Sequence, residues 1–119
     1  MADLATLDVL IVDDHEPMRA MLRKVLERAG FGSVREAASG TEALTALQEQ
    51  PAQLILVDQN MPGMTGADFI ARTREGGSSA RIIVITGDAR AEGSGADALL
   101  LKPVSPRELL MTIERVLVS

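Results

Sequence analysis

Four charged side chains of this sequence share one kind of position, because each directly follows a short apolar run. They are Asp13 and Asp14 after residues 9–12, Asp58 after residues 54–57 and Lys102 after residues 99–101. If these runs are strands of a parallel sheet, their carboxyl ends meet at one crevice where ligands bind. Three carboxylates in one crevice repel one another and need a cation, and hard oxygen ligands of this kind suit Mg²⁺. A lysine beside them indicates a further anion, for which a phosphoryl group is the natural candidate.

Each of these positions also has an ordinary interpretation. An acidic residue ahead of a helix caps free N–H groups, although a second aspartate beside it adds repulsion that a cation relieves. Thr86 ends another apolar run, where threonine is common, but Gly87 leaves space beside its hydroxyl. Lys102 precedes Pro103, and a fixed turn there would aim the ammonium inward. The order in which these residues recur along the chain indicates a common site.

The loop after Asp58 and the single histidine complete the set of candidate residues. Residues 59–66 are rich in proline and glycine, which fix turns, so the carbonyl of Asn60 can be directed at a metal. His15 follows the acidic pair at the start of a helix. We interpret it as a solvated first-turn residue rather than a catalytic base.

Short runs rich in Val and Ile alternate with segments of helical period, which is typical of repeated βα units on a parallel sheet. The predicted strands are 9–13, 33–38, 53–58, 81–86 and 98–101. Helices are predicted after the first, second, third and fifth strands, opening near Pro17, Ser39, Ala67 and Ser105. The last helix begins with a predicted capping box, Ser105 with Glu108, and has proline at its first position. The sequence therefore predicts an α/β fold that carries the charged residues at one edge of its sheet.

A fourth covering helix is missing from the pattern between the fourth and fifth strands. Residues 87–97 contain three glycines and no large apolar side chain. Since a short helix without a buried face is marginal, we expect about one helical turn at most. We predict a mobile loop in this segment.

Composition excludes several classes of function. The 119 residues suffice for one domain, 1–119, with a single core, and the absence of cysteine excludes disulfides and zinc–thiolate sites. A net charge of -5, with no Trp or Tyr, argues against direct nucleic-acid binding. The apolar runs fall short of the ~20 residues of a membrane span. No secretory signal precedes them, so we expect a cytoplasmic protein that binds no membrane.

These motifs resemble the receiver domain of two-component response regulators, the CheY-like family, over nearly the whole chain. The matching motifs are Asp13-Asp14, Asp58 with Asn60-Met61-Pro62-Gly63, Thr86-Gly87 and Lys102-Pro103. The resemblance implies a flavodoxin-like, doubly wound, five-stranded parallel sheet in the order 2-1-3-4-5. Helices would cover both faces, with the fourth helix short or disordered in this chain. The resemblance also implies a phosphorylation-dependent signalling switch. Such a protein is not an enzyme, except that it catalyses its own aspartyl phosphorylation and slow dephosphorylation.

The resemblance further implies a role for each site residue. Asp58 would accept a phosphoryl group from a phosphohistidine on a sensor histidine kinase or a histidine phosphotransfer protein, and a downstream protein target would receive the signal. Thr86 and Lys102 would contact the phosphoryl oxygens. The implied Mg²⁺ ligands are Asp14, Asp58, the carbonyl of Asn60, and Asp13 either directly or through water.

Two features depart from the family pattern. Leu99 stands where an aromatic residue is usual, three positions before the lysine, and the fourth helix is reduced. We therefore expect an unusual switch that involves Thr86 and Leu99, in which phosphorylation orders the loop 87–97 in place of an aromatic rotamer change.

Two other functions stay open on the sequence alone. One is a Mg²⁺-dependent phosphohydrolase of small molecules, although such aspartate-nucleophile enzymes generally carry a second aspartate where Asn60 stands. The other is a receiver-like docking module that works without phosphate, an alternative that Leu99 keeps open.

Overall fold

The computed structural model describes residues 4–88 and 95–118, and the described residues form five strands and four helices. In chain order these are β1 Asp8–Val12, α1 Glu16–Arg28, β2 Ser33–Ala37, α2 Gly40–Glu49, β3 Leu54–Asp58, α3 Gly66–Glu75, β4 Arg81–Thr86, β5 Ala98–Leu101 and α4 Pro106–Leu117. The strands form one sheet in the order β2-β1-β3-β4-β5, with parallel pairing throughout. The predicted fold class and strand order are confirmed.

Both faces of the sheet are covered, because alternate residues of its strands point into two separate apolar clusters. The cluster on the α1 and α4 face includes Val9, Ile11, Leu54, Leu56, Ile83 and Ile85, with Leu22, Leu26, Leu109 and Ile113 from the helices. The cluster on the α2 and α3 face includes Leu10, Val12, Ile55, Val57, Ile82 and Val84, with Ala43, Phe69 and Ile70 from the helices. Burial on both faces explains why the strands appear in the sequence as unbroken apolar runs.

The helix ends follow mostly local rules. Gly30 follows α1 with a φ of 105°, the left-handed conformation predicted for a glycine at a helix end. A complete capping box, which was not predicted, joins Thr65 and Asp68 at the start of α3. At the start of α4 the Ser105 hydroxyl accepts from the Glu108 N–H at 3.0 Å. Among the described residues Glu108 makes no return bond, so the predicted capping box is only half formed.

The edge formed by the carboxyl ends of β1 and β3 is where the chain order reverses, since β1 lies between β2 and β3. The predicted strands 33–38 and 53–58 each differ from the structure by one residue at one end, and the predicted strand 9–13 is shifted by one residue at both ends. Asp13 belongs to the connection to α1, although its N–H still donates to the Ala37 carbonyl at 3.1 Å. The structure therefore places Asp13 at the turn from the sheet into a helix.

The segment between β4 and β5 is described only at its two ends. Most of the predicted mobile loop and of the shortened fourth helix falls on residues 89–94, which lie outside the described residues. None of the described helices combines the length and the apolar character that crossing a membrane requires.

Candidate functional site

Three aspartates lie together at the carboxyl ends of β1 and β3. Asp13, Asp14 and Asp58 each offer one carboxylate oxygen, and these three atoms lie within 4.8 Å of one another. Asp13 and Asp58 are only 2% and 6% exposed, whereas Asp14 is exposed to solvent. The structure thus brings together the three carboxylates that the sequence assigns to one crevice.

The chemistry of this donor set fits a hard divalent cation. The cluster consists of carboxylate oxygens alone, without imidazole or thiolate. Mg²⁺ is commonly held through a few carboxylates together with phosphate oxygens, which is the combination that such a crevice can offer. The mutual repulsion of three carboxylates is the unfavourable term that a bound cation would offset.

The surroundings of Asp13 disfavour its ionised form. Burial raises the pKa of Asp13 above the usual range of an aspartate, and the negative charges of Asp58 and Asp14 raise it further. Two contacts act in the opposite direction, the Lys102 charge and the His15 N–H, which donates to Asp13 Oδ1 at 2.9 Å. Because the effects that raise the pKa of Asp13 outweigh those that lower it, the cluster favours a positively charged ligand.

Lys102 forms an ion pair with Asp58 and therefore lies in the same crevice as the carboxylates, where the sequence analysis expects it. Its Nζ lies 3.2 Å from Asp58 Oδ1, and the lysine side chain is 35% exposed, so solvent and ligands can reach this pair. The backbone N–H of Lys102 donates to the Thr86 carbonyl at 2.7 Å, which extends the pairing of β4 with β5. The peptide bond from Lys102 to Pro103 is cis.

Thr86 is fully buried at the end of β4, one residue after the Ile85 that pairs with Asp58. Its hydroxyl accepts a hydrogen bond from the Asp88 N–H at 3.1 Å. The two bonds described here therefore join Thr86 to Asp88 in its own loop and to Lys102, and neither of them joins it to the three carboxylates. Its contact with a phosphoryl group stays a prediction.

Asn60 and Leu99 lie at the margins of the site. Asn60 is exposed two residues after Asp58 and makes no hydrogen bond among the described residues. Leu99 is half-buried, stands opposite Val84 in the sheet, and packs against the apolar cluster on the α2 and α3 face. The predicted roles of these two residues, as a metal ligand and as part of the switch, stay predictions.

Two contacts near the site were not predicted from the sequence. The Arg19 guanidinium on α1 donates to the backbone carbonyl of Asp13 at 2.7 Å. At the start of α3, Gly66 is packed so closely that an added methyl group would lie 3.1 Å from the Asp58 carbonyl oxygen. A glycine right after a capping threonine is a weak sequence signal for such an approach, whereas the arginine carries no local signal.

The strand order reverses at β1, and the carboxylate cluster lies at that reversal with Lys102 paired to Asp58. Together these features define a receiver-type α/β protein. Residues 9–114 match the response regulator receiver domain family. The chain belongs to this family of two-component signalling proteins.

Curated relatives agree with this assignment. The chain is 38% identical over 120 residues to the nitrate/nitrite response regulator protein NarP of Escherichia coli, covering 95% of this chain and 56% of that protein. It is 36% identical over 116 residues to the transcriptional regulatory protein SrrA of Staphylococcus aureus, covering 92% of this chain and 47% of that protein. The chain thus spans about half the length of the curated relatives it matches.

Solved structures show the same fold. The chemotaxis protein CheY4 of Vibrio cholerae is similar with a TM-score of 0.86 and 36% identity, covering 92% of this chain and 98% of that chain. The response regulator protein TrrA of Thermotoga maritima, solved in complex with Mg²⁺ and BeF, has a TM-score of 0.85 and 26% identity, covering 93% of this chain and 99% of that chain. Both likenesses extend over nearly the whole of the compared chains.

Proposed function

We propose that this chain acts as a phosphorylation-dependent switch of a two-component system, with Asp58 as the phosphoryl acceptor. The environment of Asp58 is the observation that carries the proposal. Its buried carboxylate contacts Lys102 at 3.2 Å and lies within 4.8 Å of ligand atoms of Asp13 and Asp14. This carboxylate can act as a nucleophile while neighbouring groups attract the incoming phosphoryl group.

The reaction follows from the charges around Asp58. A carboxylate oxygen of Asp58 attacks the phosphorus of a phosphohistidine, so that the new P–O bond forms as the P–N bond to the imidazole breaks. Since charge spreads over the equatorial oxygens in a loose transition state, positioning and charge neutralisation supply most of the catalysis. Lys102 neutralises part of that charge, and we assign the Thr86 hydroxyl a hydrogen bond to the phosphoryl oxygens. Slow hydrolysis, with water as the nucleophile, resets the switch.

We assign the cation site to four residues and to Mg²⁺. The residues are Asp13, Asp14, Asp58 and the carbonyl of Asn60. When bound, Mg²⁺ neutralises charge on the phosphoryl oxygens. The assignment is supported by the all-carboxylate cluster and by the relative TrrA, which was solved in complex with Mg²⁺ and BeF.

The partners follow from this chemistry as further parts of the proposal. The donor is a sensor histidine kinase or a histidine phosphotransfer protein, and the output is a change in affinity for a downstream protein. Thr86 and Leu99 carry the change from Asp58 towards the β4–β5 region. We treat residues 1–119 as one receiver domain, and its cytoplasmic location stays a prediction.

The test is to incubate the chain with acetyl phosphate, or with beryllofluoride, in the presence of Mg²⁺. We expect one covalent phosphoryl group by mass spectrometry, and a single saturable beryllofluoride response in amide NMR spectra. Asp58→Asn should abolish both, whereas the control Glu49→Gln, which changes an exposed carboxylate at the end of α2, should retain both. Rapid turnover without an adduct would support the phosphohydrolase instead, and no response at all would support the phosphate-independent docking module.

A further inference from the structure

We propose that Arg19 is a positioning residue for the cation site. Its guanidinium holds the peptide group that joins Asp13 to Asp14, and thereby sets the direction of both carboxylates. The inference rests on the proposed function, because it concerns the same site.

The contact made by Arg19 is short and shielded. The arginine lies early in α1, and its side chain is 15% exposed. Its Nη1 donates to the backbone carbonyl of Asp13 at 2.7 Å, at the short end of the usual range for N–H···O bonds. A largely buried cation next to the carboxylate cluster is therefore bonded to a main-chain oxygen of that cluster.

The carbonyl of Asp13 and the N–H of Asp14 belong to one planar peptide group. A hydrogen bond to this carbonyl therefore limits rotation of the unit that carries both side chains. Asp13 has two further restraints, since its N–H donates to Ala37 at 3.1 Å and its Oδ1 accepts from the His15 N–H at 2.9 Å. Asp14 makes no hydrogen bond among the described residues, so the bond from Arg19 is its nearest described restraint.

Glu36 on β2 holds the guanidinium of Arg19 in place. Its Oε1 accepts from Arg19 Nε at 3.0 Å, and its Oε2 accepts from Arg23 Nε at 2.5 Å. Two arginines of α1 thus share one carboxylate, but only Arg19 continues to the Asp13 carbonyl, while Arg23 contacts Glu27 at 3.4 Å. Arg23 is therefore a matched control, because it shares the ion pair between α1 and β2 but lacks the bond to the Asp13 carbonyl.

The experiment compares Arg19→Met with Arg23→Met in the full chain. Each variant removes one arginine from Glu36 and keeps an aliphatic stem. Affinity for Mg²⁺ alone is measured by calorimetric titration, and urea unfolding measures stability separately. Because outer-sphere partners typically change metal affinity by about 10- to 100-fold, we expect about 10-fold weaker binding for Arg19→Met and less than about twofold for Arg23→Met. The amide resonance of Asp14 should shift in Arg19→Met alone.

Two results would overturn the role of Arg19. In the first, Arg19→Met binds Mg²⁺ as tightly as the wild type. In the second, both methionine variants lose affinity equally, which identifies a network that is only structural. If the wild type forms its Asp58 adduct normally in either case, the proposed function stands and only the positioning role is lost. A wild type that forms no adduct and binds no Mg²⁺ would remove the proposed function and this inference together.

Two milder variants decide the question should Arg19→Met fail to fold. Glu36→Gln keeps Arg19 but weakens the group that holds it, so we expect Mg²⁺ affinity between those of the wild type and Arg19→Met. Arg19→Lys keeps the charge but lacks the guanidinium fork that reaches two acceptors, so it should restore affinity only in part. Wild-type affinity in both variants would overturn the proposal.

Discussion

The three carboxylates of the cluster concentrate negative charge at a place where, among the described residues, only Lys102 forms an ion pair with it. The imbalance is visible at Asp13, because burial and the neighbouring acids raise its pKa against the opposing effects of the His15 N–H and the Lys102 charge. Ionised Asp13 therefore destabilises the folded chain as long as no cation is bound. The same imbalance is what gives a divalent cation its affinity for the site.

Asp13→Asn should consequently stabilise the metal-free protein while impairing Mg²⁺ binding. Without Mg²⁺ we expect its free energy of unfolding to exceed that of the wild type, because asparagine removes a negative charge that burial and the neighbouring carboxylates disfavour. Mg²⁺ at one hundred times its dissociation constant should stabilise the wild type by about 2.7 kcal/mol and the variant much less. Urea unfolding with EDTA and with Mg²⁺ measures both. A variant less stable than the wild type in EDTA would contradict this account.

Glu36 shows the opposite electrostatic situation. The hydrogen bond from Arg23 and, more weakly, that from Arg19 hold the pKa of Glu36 below its ordinary value, against the effect of partial burial. The carboxylate therefore stabilises the fold above its unfolded-state pKa, and this contribution is lost as the pH falls through the lower folded-state pKa. Glu36→Gln should be less stable than the wild type at neutral pH. The two unfolding curves should converge at acidic pH, and a constant difference would show that charge is not the cause.

Among the elements, the connection from β3 to α3 is the one most closely fitted to Asp58. Gly66 begins α3 directly against the backbone of Asp58 and Gln59, and its N–H donates to the Gln59 carbonyl at 2.9 Å. The capping box of Thr65 and Asp68 then fixes the helix start. Helix α3 thus defines where the backbone of the proposed phosphoryl acceptor lies.

Gly66→Ala should displace that backbone. The added methyl group would lie 3.1 Å from both the Asp58 carbonyl oxygen and the Gln59 Cα, so we expect overpacking to cost about 1–3 kcal/mol and Mg²⁺ affinity to fall. Gly77→Ala is the control, because its φ of 87° makes alanine strained but no atom lies within 4 Å of the new methyl. It should cost about 1 kcal/mol with unchanged Mg²⁺ affinity. Equal affinities in the two variants would argue against a positioning role for α3.

The elements themselves were predictable because their signals are local. The run 82–85 identifies a strand buried on both faces, and Gly30 and Ser105 mark helix ends by rules that involve only near neighbours. The convergence of Asp13, Asp14 and Asp58 was predictable too, since it follows from strand order. The bond from Arg19 to Asp13 and the approach of Gly66 to Asp58 depend on side-chain reach and packing distance, which the local sequence signals weakly for Gly66 and does not signal for Arg19.

At the scale of the whole molecule, a buried aspartate stands at each end of β1, Asp8 as its first residue and Asp13 directly after its last, and the two have opposite surroundings. Asp8, 4% exposed, opens the strand, and its carboxylate accepts from Arg35 Nε at 3.0 Å and from the side-chain amide of Gln50. Arg35 also donates to the carbonyls of Ala46 and Gln50 at the end of α2, at 3.0 and 2.8 Å. The amino end of the sheet is thus a neutralised polar network, whereas the carboxyl end is left negative for a ligand.

Asp8→Asn and Asp13→Asn should therefore change stability in opposite directions, although each removes one buried negative charge at an end of the same strand. Asp8→Asn leaves Arg35 without its carboxylate, and the loss of a hydrogen bond to a charged group costs about 1.5–3 kcal/mol. Its Mg²⁺ affinity and its Asp58 adduct should match those of the wild type, because the network lies at the far end of the sheet. Urea unfolding in EDTA of the wild type and both variants gives the signs directly. If both substitutions destabilise the chain, the negative charge at the carboxyl end is neutralised within the protein, and the case for a cation there fails.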